Sequence, residues 1–254
     1  LAEKWLRPLC HRRAVIRLFL VSISIVPATI WYASKIAWSV YRRSAETECC
    51  CEKAARAWAS LVLKVAGVRV VIENEGVIDP TSPQVLVANH VSWCDVLVLA
   101  AFVPGRYVFV AKKEVERIPV FGAAVKACGH IFIDRGDKTR ALASLDIARR
   151  RLEESAPTII MFPEGTRSDT GELGPFKKGA FVLAVQAGAS VVPAAIFGSR
   201  QVMKKGSLLV HSGVVRVHFG EPIQVGGYSM EDRGRLTVRA WQALTELQKR
   251  HETR

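Results

Sequence analysis

The sequence VLVANHVSWCDVLVLA (residues 85–100) passes from one apolar run to another through a short polar segment. The first run, Val85–Ala88, is short and rich in β-branched residues, which predicts a buried strand. Ser92 is a preferred residue immediately before a helix, and Asp95 three positions later completes the pattern of a capping box. The stretch therefore predicts a strand–loop–helix unit, with His90 in the loop at the carboxyl end of the strand.

Short apolar runs separated by helix-length segments continue from residue 68 to the end of the chain. The other predicted strands are Val68–Glu73, Tyr107–Ala111, His130–Asp134, Thr158–Phe162, Val191–Ile196 and Val214–Phe219. The predicted helices among and after them include Lys138–Glu154, Lys178–Ala187 and Met230–His251. Such alternation is typical of α/β proteins in which helices cover both faces of a parallel sheet. We predict a mostly parallel, twisted sheet of about seven strands flanked by helices, which forms one domain over residues 67–254.

The charge of the chain is strongly basic and unevenly distributed. The sequence has 36 Lys and Arg against 23 Asp and Glu, a formal net charge of +13, so we expect an anionic partner. Residues 1–43 contain eight basic residues and one acid. These basic residues flank the uncharged segment Leu18–Ser34. In many nucleic-acid-binding proteins, by contrast, basic residues alternate with aromatic residues. The pattern favours membrane phospholipids as partners and argues against a nucleic acid.

The N-terminal 66 residues are predicted to form a membrane-associated pair of helices. Leu18–Ser34 is seventeen residues long and contains Pro27, which places it at the short limit for a membrane span. A second apolar helix is predicted over Ala54–Val65. Three interpretations stay open, of which we prefer the first: a shallow hairpin in one leaflet, a single span, or a cleaved signal peptide.

The six cysteines contain no Cys-x-x-Cys pair, and three of them are consecutive, at residues 49–51. This arrangement makes a poor disulfide framework and indicates a reducing environment. We therefore expect the active site to lie near the cytoplasmic face of the membrane. The six histidines show no metal-ligand spacing, so no metal is expected.

His90 and Asp95 are the first candidates for catalysis. A tight connection between the strand and the helix can bring the two side chains together. A carboxylate bonded to one imidazole nitrogen fixes the tautomer and leaves the other nitrogen free to act as a base. No serine or cysteine nucleophile is needed if the hydroxyl group of a substrate attacks a thioester carbonyl. The simpler interpretation is that Asp95 only caps the helix and that His90 is an ordinary loop residue.

Several charged or glycine-containing segments follow other predicted strands. Pro163-Glu164-Gly165-Thr166-Arg167-Ser168 follows one of them, and a glycine turn there allows backbone N–H groups to approach a phosphate or an oxyanion. Lys112 and Arg135 follow two further strands. Because the carboxyl ends of parallel strands share one edge of the sheet, these cations and Arg167 are expected to form an anion-binding mouth beside His90. Taken singly, each would be a solvated surface charge, and Glu164 could simply pair with Arg167.

Four segments together resemble the 1-acylglycerol-3-phosphate acyltransferase family, the lysophosphatidic acid acyltransferases. They are Asn89-His90 through Asp95, Gly129 through Arg135, Phe162 through Ser168 and Val191-Val192-Pro193, in the order expected for that family. The resemblance covers about residues 68–222. It implies that His90 is the general base, that Asp95 orients it, and that Lys112 and Arg167, with Arg135, hold the phosphate of the acceptor. It also implies that Glu164, Gly165 and Thr166 shape the pocket around the acceptor and the developing oxyanion.

The resemblance further implies the substrates of the reaction. A fatty acyl group would pass from coenzyme A or acyl carrier protein, as co-substrate and without another cofactor, to the sn-2 hydroxyl of lysophosphatidic acid. The product would be phosphatidic acid for phospholipid biosynthesis. Alternatives are the same chemistry on glycerol-3-phosphate, another lysophospholipid or a lyso-ornithine lipid, or else a lipid hydrolase or a non-catalytic binder of anionic lipids. The absence of a Gly-x-Ser-x-Gly motif disfavours the common esterase mechanism.

Overall fold

The computed structural model describes the backbone of residues 2–42, 47–155 and 157–252, and the side chains of residues 15–42, 50–137, 139–155 and 157–251. Five of the eight basic residues in the N-terminal segment have side chains outside these ranges: Lys4, Arg7, Arg12, Arg13 and Arg43. The described part contains a seven-stranded sheet flanked by helices, so the predicted fold class is confirmed.

The strands are β1 (Val68–Glu73), β2 (Gln84–Ala88), β3 (Tyr107–Lys112), β4 (Ile131–Ile133), β5 (Thr158–Met161), β6 (Ser190–Phe197) and β7 (Gly213–Phe219). Their order across the sheet is β1-β7-β6-β2-β5-β3-β4. All neighbouring strands are parallel except β6 and β7, which are antiparallel. The carboxyl ends of β2, β3, β4, β5 and β6 therefore share one edge of the sheet, and β1 and β7 run the other way. Ligands of open α/β sheets bind at such an edge.

The helices are α1 (Ala2–Tyr41), α2 (Thr47–Val65), α3 (Trp93–Phe102), α4 (Phe121–Ala127), α5 (Lys138–Ser155), α6 (Gly179–Ala187), α7 (Ser199–Val202) and α8 (Arg233–Glu252). Short 3₁₀ turns occupy Glu75–Val77 and Lys113–Arg117. Helix α1 continues through Pro27 and is longer than the predicted apolar segment.

The sheet is buried on both faces because alternate residues of its central strands point to opposite sides. Val85 and Val87 pack with residues of α5, α6 and α8, whereas Leu86 and Ala88 pack with residues of α2 and α3. All four residues are fully buried. Burying side chains of this size contributes roughly 1.5–3 kcal/mol each, so the central strands form a rigid support for the loops at their carboxyl ends.

Helices α1 and α2 are antiparallel. The Trp58 indole N–H donates to the Thr29 hydroxyl at 3.0 Å, and further along both helices Ile36 clusters with Cys51. Helix α2 packs in turn on α3, with Ala59 in the same core cluster as Leu86. The N-terminal helices are thus continuous with the core that supports the sheet.

The outer face of α1 is apolar and exposed. Its exposed large apolar residues include Ile16, Phe19, Ile23, Val26, Ile30 and Trp31. The segment Val15–Tyr41 is long and apolar enough to cross a membrane, with a mean hydropathy of 1.8 over its most apolar window. A continuous apolar face of this kind is typical of membrane or partner contacts, which is weak evidence for membrane association.

Candidate active site

His90 and Asp95 lie together at the edge formed by the strand ends. His90 follows β2 and Asp95 is in the first turn of α3, and the His90 Nδ1 atom is 2.9 Å from Asp95 Oδ2. Because an ionised carboxylate can only accept hydrogen bonds, Nδ1 carries the hydrogen and donates it. The lone pair of Nε2 is then free to accept a proton.

Asp95 is fully buried and serves two purposes at once. Its Oδ2 atom also accepts hydrogen bonds from the backbone N–H groups of Val91 and Ser92, each at 2.8 Å. Its Oδ1 atom is buried with no hydrogen-bond donor among the described residues. The negative charge of this carboxylate lies next to the imidazole and would stabilise an imidazolium at His90. The capping box predicted from the sequence and the His–Asp contact are both present in the same structure.

The segment after β5 fixes the backbone of His90. The Glu164 Oε1 atom accepts from the His90 N–H at 2.8 Å, and the His90 carbonyl accepts from the Ser168 N–H at 2.7 Å. Phe162 stacks on the imidazole with a ring separation of 4.0 Å. Since both backbone groups and one ring face are held, the direction in which Nε2 points is restricted.

Glu164 itself lies behind the site and does not line the cavity. Its second oxygen, Oε2, accepts from the Gly174 N–H at 3.0 Å, so the carboxylate bridges two loops. Burial raises the pKa of Glu164, while the two backbone hydrogen bonds oppose this shift. The sequence predicted Glu164 at the acceptor pocket, but its contacts in the structure are with the backbone that supports His90.

Asn89 was not among the predicted site residues. Its side chain is buried and exchanges two hydrogen bonds with the backbone of Ile196 in β6, at 2.7 and 3.0 Å. These bonds anchor the end of β2 to the neighbouring strand. The position of Asn89 directly before His90 indicated a place near the site. Its bonding partner Ile196 could not be predicted, because it is 107 residues away in the sequence.

Gly165 needs to be glycine at its position. It has a φ of 75°, and a Cβ atom placed there would lie 2.9 Å from Cε and Nζ of Lys177. Its carbonyl accepts a hydrogen bond from Nη1 of Arg135, which therefore reaches across from the end of β4. Burial lowers the pKa of Arg135. Gly165 and Thr166 line the same cavity as His90.

The predicted cations gather around one cavity mouth. Lys112, Arg135 and Arg167 all line the cavity with His90. Lys112 is 55% exposed and forms an ion pair with Glu114 at 2.9 Å. The Arg167 guanidinium lies 5.4 Å above the centre of the Trp93 ring. Of the predicted substrate-binding residues, all except Glu164 therefore line the same cavity.

A cavity of about 610 Å³ extends from this mouth between the N-terminal helices and the sheet. Its walls are mainly apolar and come from several elements: Ile36 of α1, Trp58 of α2, Phe109 of β3 and Phe121 of α4, among others. This volume is within the usual range for a small-molecule site. The arrangement provides a basic group and cations at the entrance, and space for an apolar chain behind them.

No metal is placed at this site by the side chains that the structure describes. Within those ranges, no three His, Cys, Asp or Glu residues are grouped as metal ligands. That the protein needs no metal stays a prediction from the sequence.

His130 lies in the cavity wall and is neutral. Its Nδ1 atom accepts from the Phe109 N–H at 3.0 Å, and burial lowers its pKa to about 4. The unfolded chain therefore binds a proton near pH 6.5 that the folded protein does not bind. The free energy of unfolding should fall as the pH decreases from 6.5 to 4, by at most about 3 kcal/mol from this residue.

The variant His130→Asn should lose part of this acid sensitivity, since an amide oxygen can still accept from Phe109 N–H but does not titrate. Urea denaturation at pH 7 and pH 4.5 measures the difference. Equal pH dependence in the two proteins would show that His130 does not contribute.

With the geometry described, the fold and the site define a class: an α/β protein with a His–Asp pair at the carboxyl ends of its strands. Ser92 and Cys94 lie between the two residues, but both are buried, and the Ser92 hydroxyl donates to the Met203 carbonyl. Residues 69–197 match the Acyltransferase family. This match covers half of the chain, and the chain belongs to the Acyltransferase family.

Among similar proteins, a 1-acyl-sn-glycerol-3-phosphate acyltransferase of Cocos nucifera is 33% identical over 147 residues, which are 58% of this chain and 48% of that protein. The 1-acyl-sn-glycerol-3-phosphate acyltransferase alpha of Homo sapiens is 34% identical over 166 residues, 65% of this chain and 59% of that protein. The chain thus spans about half the length of the curated relatives it matches.

Among solved structures, the 1-acyl-sn-glycerophosphate (LPA) acyltransferase PlsC of Thermotoga maritima is similar in fold. The TM-score is 0.82 at 22% sequence identity, with 96% of this chain and 99% of that chain covered. The similarity therefore includes the N-terminal helices as well as the sheet, and it supports the fold alone.

Proposed function

We propose that the protein transfers a fatty acyl group from an acyl thioester to the sn-2 hydroxyl of lysophosphatidic acid and so forms phosphatidic acid. The observation that carries this proposal is the His90–Asp95 pair at the mouth of an apolar cavity whose rim also holds Lys112, Arg135 and Arg167. The names of the relatives support the same acceptor.

In the proposed reaction, His90 Nε2 takes the proton of the acceptor hydroxyl while the oxygen attacks the thioester carbonyl. A new C–O bond forms and the carbonyl oxygen becomes an oxyanion. When this intermediate collapses, the C–S bond breaks, and the imidazolium returns its proton to the departing thiolate. Asp95 keeps the proton of Nδ1 in place and stabilises the transient positive charge on the ring. The reaction requires only the two substrates, with coenzyme A or acyl carrier protein carrying the acyl group.

The substrates contain a charged phosphate and an apolar acyl chain, and the site offers a separate region for each. Lys112, Arg135 and Arg167 would bind the phosphate, because guanidinium and ammonium groups are suited to it. The apolar cavity would hold an acyl chain, since each buried methylene contributes about 0.8 kcal/mol. Gly165 and Thr166 line the same cavity and would face the reacting carbonyl.

Membrane phospholipids would surround the outer face of α1, whose exposed apolar residues suit a bilayer. We propose that the protein is membrane-associated with its active site near the cytoplasmic face.

The test is an acyl-transfer assay in detergent micelles with a panel of acceptors and both donor types. Lysophosphatidic acid should be acylated faster than lysophosphatidylcholine, monoacylglycerol, glycerol-3-phosphate or a lyso-ornithine lipid. Release of free fatty acid at the same rate with and without acceptor would instead identify a hydrolase.

The variant Arg167→Ala should raise the KM for lysophosphatidic acid by about 10-fold or more, because a hydrogen bond to a charged group contributes about 1.5–3 kcal/mol. The KM for the acyl donor and the turnover of monoacylglycerol, which has no phosphate, should change less than 3-fold by the same reasoning. Steady-state kinetics with each acceptor measures this.

Arg200→Ala is the matched control, since the Arg200 side chain bonds to the carbonyl of Asp169 and does not line the cavity. An unchanged KM for lysophosphatidic acid in Arg167→Ala would remove Arg167 from the phosphate site.

A further inference from the structure

Arg167 differs from three nearby lysines in the group that its positive charge contacts. Lys112 pairs with Glu114, Lys113 with Asp134, and Lys205 with Asp169, at 2.8–3.2 Å. Among the side chains that the structure describes, no carboxylate lies within ion-pair distance of Arg167. Its guanidinium instead lies over the indole of Trp93, 5.4 Å from the ring centre.

This difference matters for binding an anion. A carboxylate partner orients a guanidinium, but it also occupies the N–H groups that a phosphate would use. An aromatic face attracts the same cation through its quadrupole and leaves the N–H groups at the edge of the guanidinium unoccupied. Arg167 is therefore oriented without being neutralised.

The backbone of Trp93 is fixed at the start of α3. It is the first residue of α3, directly after the N-cap Ser92, whose hydroxyl accepts from the Cys94 N–H at 3.1 Å and donates to the Met203 carbonyl at 2.8 Å. Asp95 follows two residues later. Trp93 is 46% exposed and lines the cavity together with Arg167 and His90.

The backbone of Arg167 is fixed from the other side. Its carbonyl accepts from the Lys205 ammonium at 2.9 Å, and the next residue, Ser168, donates to the His90 carbonyl at 2.7 Å. Both backbones are thus anchored, and the contact between ring and guanidinium joins the two side chains.

We propose that Trp93 is a positioning residue that holds the Arg167 guanidinium over the cavity mouth and thereby sets the affinity for the phosphate of the acceptor. This proposal rests on the proposed function, in which Arg167 binds that phosphate. Trp93 links the phosphate site to the helix that carries Asp95.

The experiment is a double-mutant cycle read out by binding. Calorimetry in detergent measures the affinity of the purified full chain for a short-chain lysophosphatidic acid and for the matching monoacylglycerol. Trp93→Leu should weaken binding of the phosphorylated lipid by about 3- to 10-fold, as expected for loss of a partly exposed cation–π contact. Binding of monoacylglycerol should not change.

In the Arg167→Ala background, Trp93→Leu should produce no further loss, because the group through which it acts is gone. Trp93→Phe keeps an aromatic face and should lose less than Trp93→Leu. The control is Trp38→Leu, which removes an exposed tryptophan in contact with Arg42, 4.7 Å from its ring, on α1 and outside the cavity lining. It should bind the phosphorylated lipid as the unchanged protein does.

Two results would overturn the proposal. One is an equal loss from Trp93→Leu with and without Arg167, which would mean that the ring contacts the lipid directly or supports the fold. The other is unchanged phosphate-dependent binding in Trp93→Leu while Arg167→Ala is impaired. If Arg167→Ala also binds the phosphorylated lipid normally, both the positioning role of Trp93 and the phosphate site at Arg167 are wrong. The proposed acyl transfer is tested separately: if Arg167→Ala still acylates lysophosphatidic acid, only the phosphate site is wrong and the proposed activity stands.

Discussion

The variant His90→Ala is expected to lower kcat by roughly 10²- to 10⁴-fold, the usual contribution of a positioned general base. The imidazole is the group at the cavity mouth with a free lone pair directed by a buried carboxylate. Without it, the acceptor hydroxyl would have to attack with its proton still bound. Turnover of lysophosphatidic acid and an acyl thioester under saturating conditions measures the effect.

His218→Ala provides the matched control. His218 lies on β7 and pairs with Glu73 at 3.1 Å, outside the cavity lining. Its removal should leave kcat within about 2-fold, since surface ion pairs contribute less than about 1 kcal/mol. Turnover of His90→Ala within tenfold of the unchanged protein would falsify the assignment of His90 as the base and favour a non-catalytic lipid-binding protein.

The variant Asp95→Asn is expected to lower kcat by about 10²-fold or more, with little change in the KM for either substrate. The new amide oxygen can still accept from the Val91 and Ser92 N–H groups, so the helix cap is kept. The orientation of the ring and the stabilisation of the imidazolium, however, both depend on the negative charge that is lost. The measurement is a kcat and KM comparison with the unchanged protein.

Asp95→Ala separates the two purposes of this carboxylate. It removes the cap as well and should lower the free energy of unfolding by about 1–2 kcal/mol more than Asp95→Asn does. If the loss of turnover in Asp95→Asn were fully explained by a lower free energy of unfolding, Asp95 would be a structural residue. This is the simpler interpretation of the sequence.

Much of the sheet could be predicted because its strands are buried on both faces. Runs such as Val85–Ala88 and Thr158–Phe162 are continuously apolar and bounded by turn-forming residues, and the observed strands begin and end within about two residues of the predicted ones. The contact between His90 and Asp95 was also accessible, because it is local: the capping pattern places the carboxylate within one helical turn of the loop.

The contacts that support this pair could not be predicted, because they join distant parts of the chain. Glu164 bonds to the backbone of His90, seventy-four residues earlier, and Asn89 bonds to Ile196. The contact between the Arg167 guanidinium and the Trp93 ring is of the same kind. Neither periodicity nor capping preferences contain information on such pairs, so the bond from the His90 N–H to Glu164 was not predicted and Trp93 had no predicted role.

Helix α4 was missed for a different reason. It has seven residues, too few for a periodic pattern, and it begins after Val120, which has a φ of 64°. This backbone region is unfavourable for a β-branched residue, so no local preference would place a helix start there. The helix nevertheless provides part of the cavity wall.

The sequence also could not separate the two sides of α1. Thr29, Tyr32 and Ile36 face the cavity, while Phe19, Ile23 and Ile30 are exposed on the outside. A shortened chain that lacked α1 would therefore lose part of the cavity wall together with the exposed apolar face. The cavity would open to water along that side, and apolar residues of α2 and α4 that now contact α1 would become exposed.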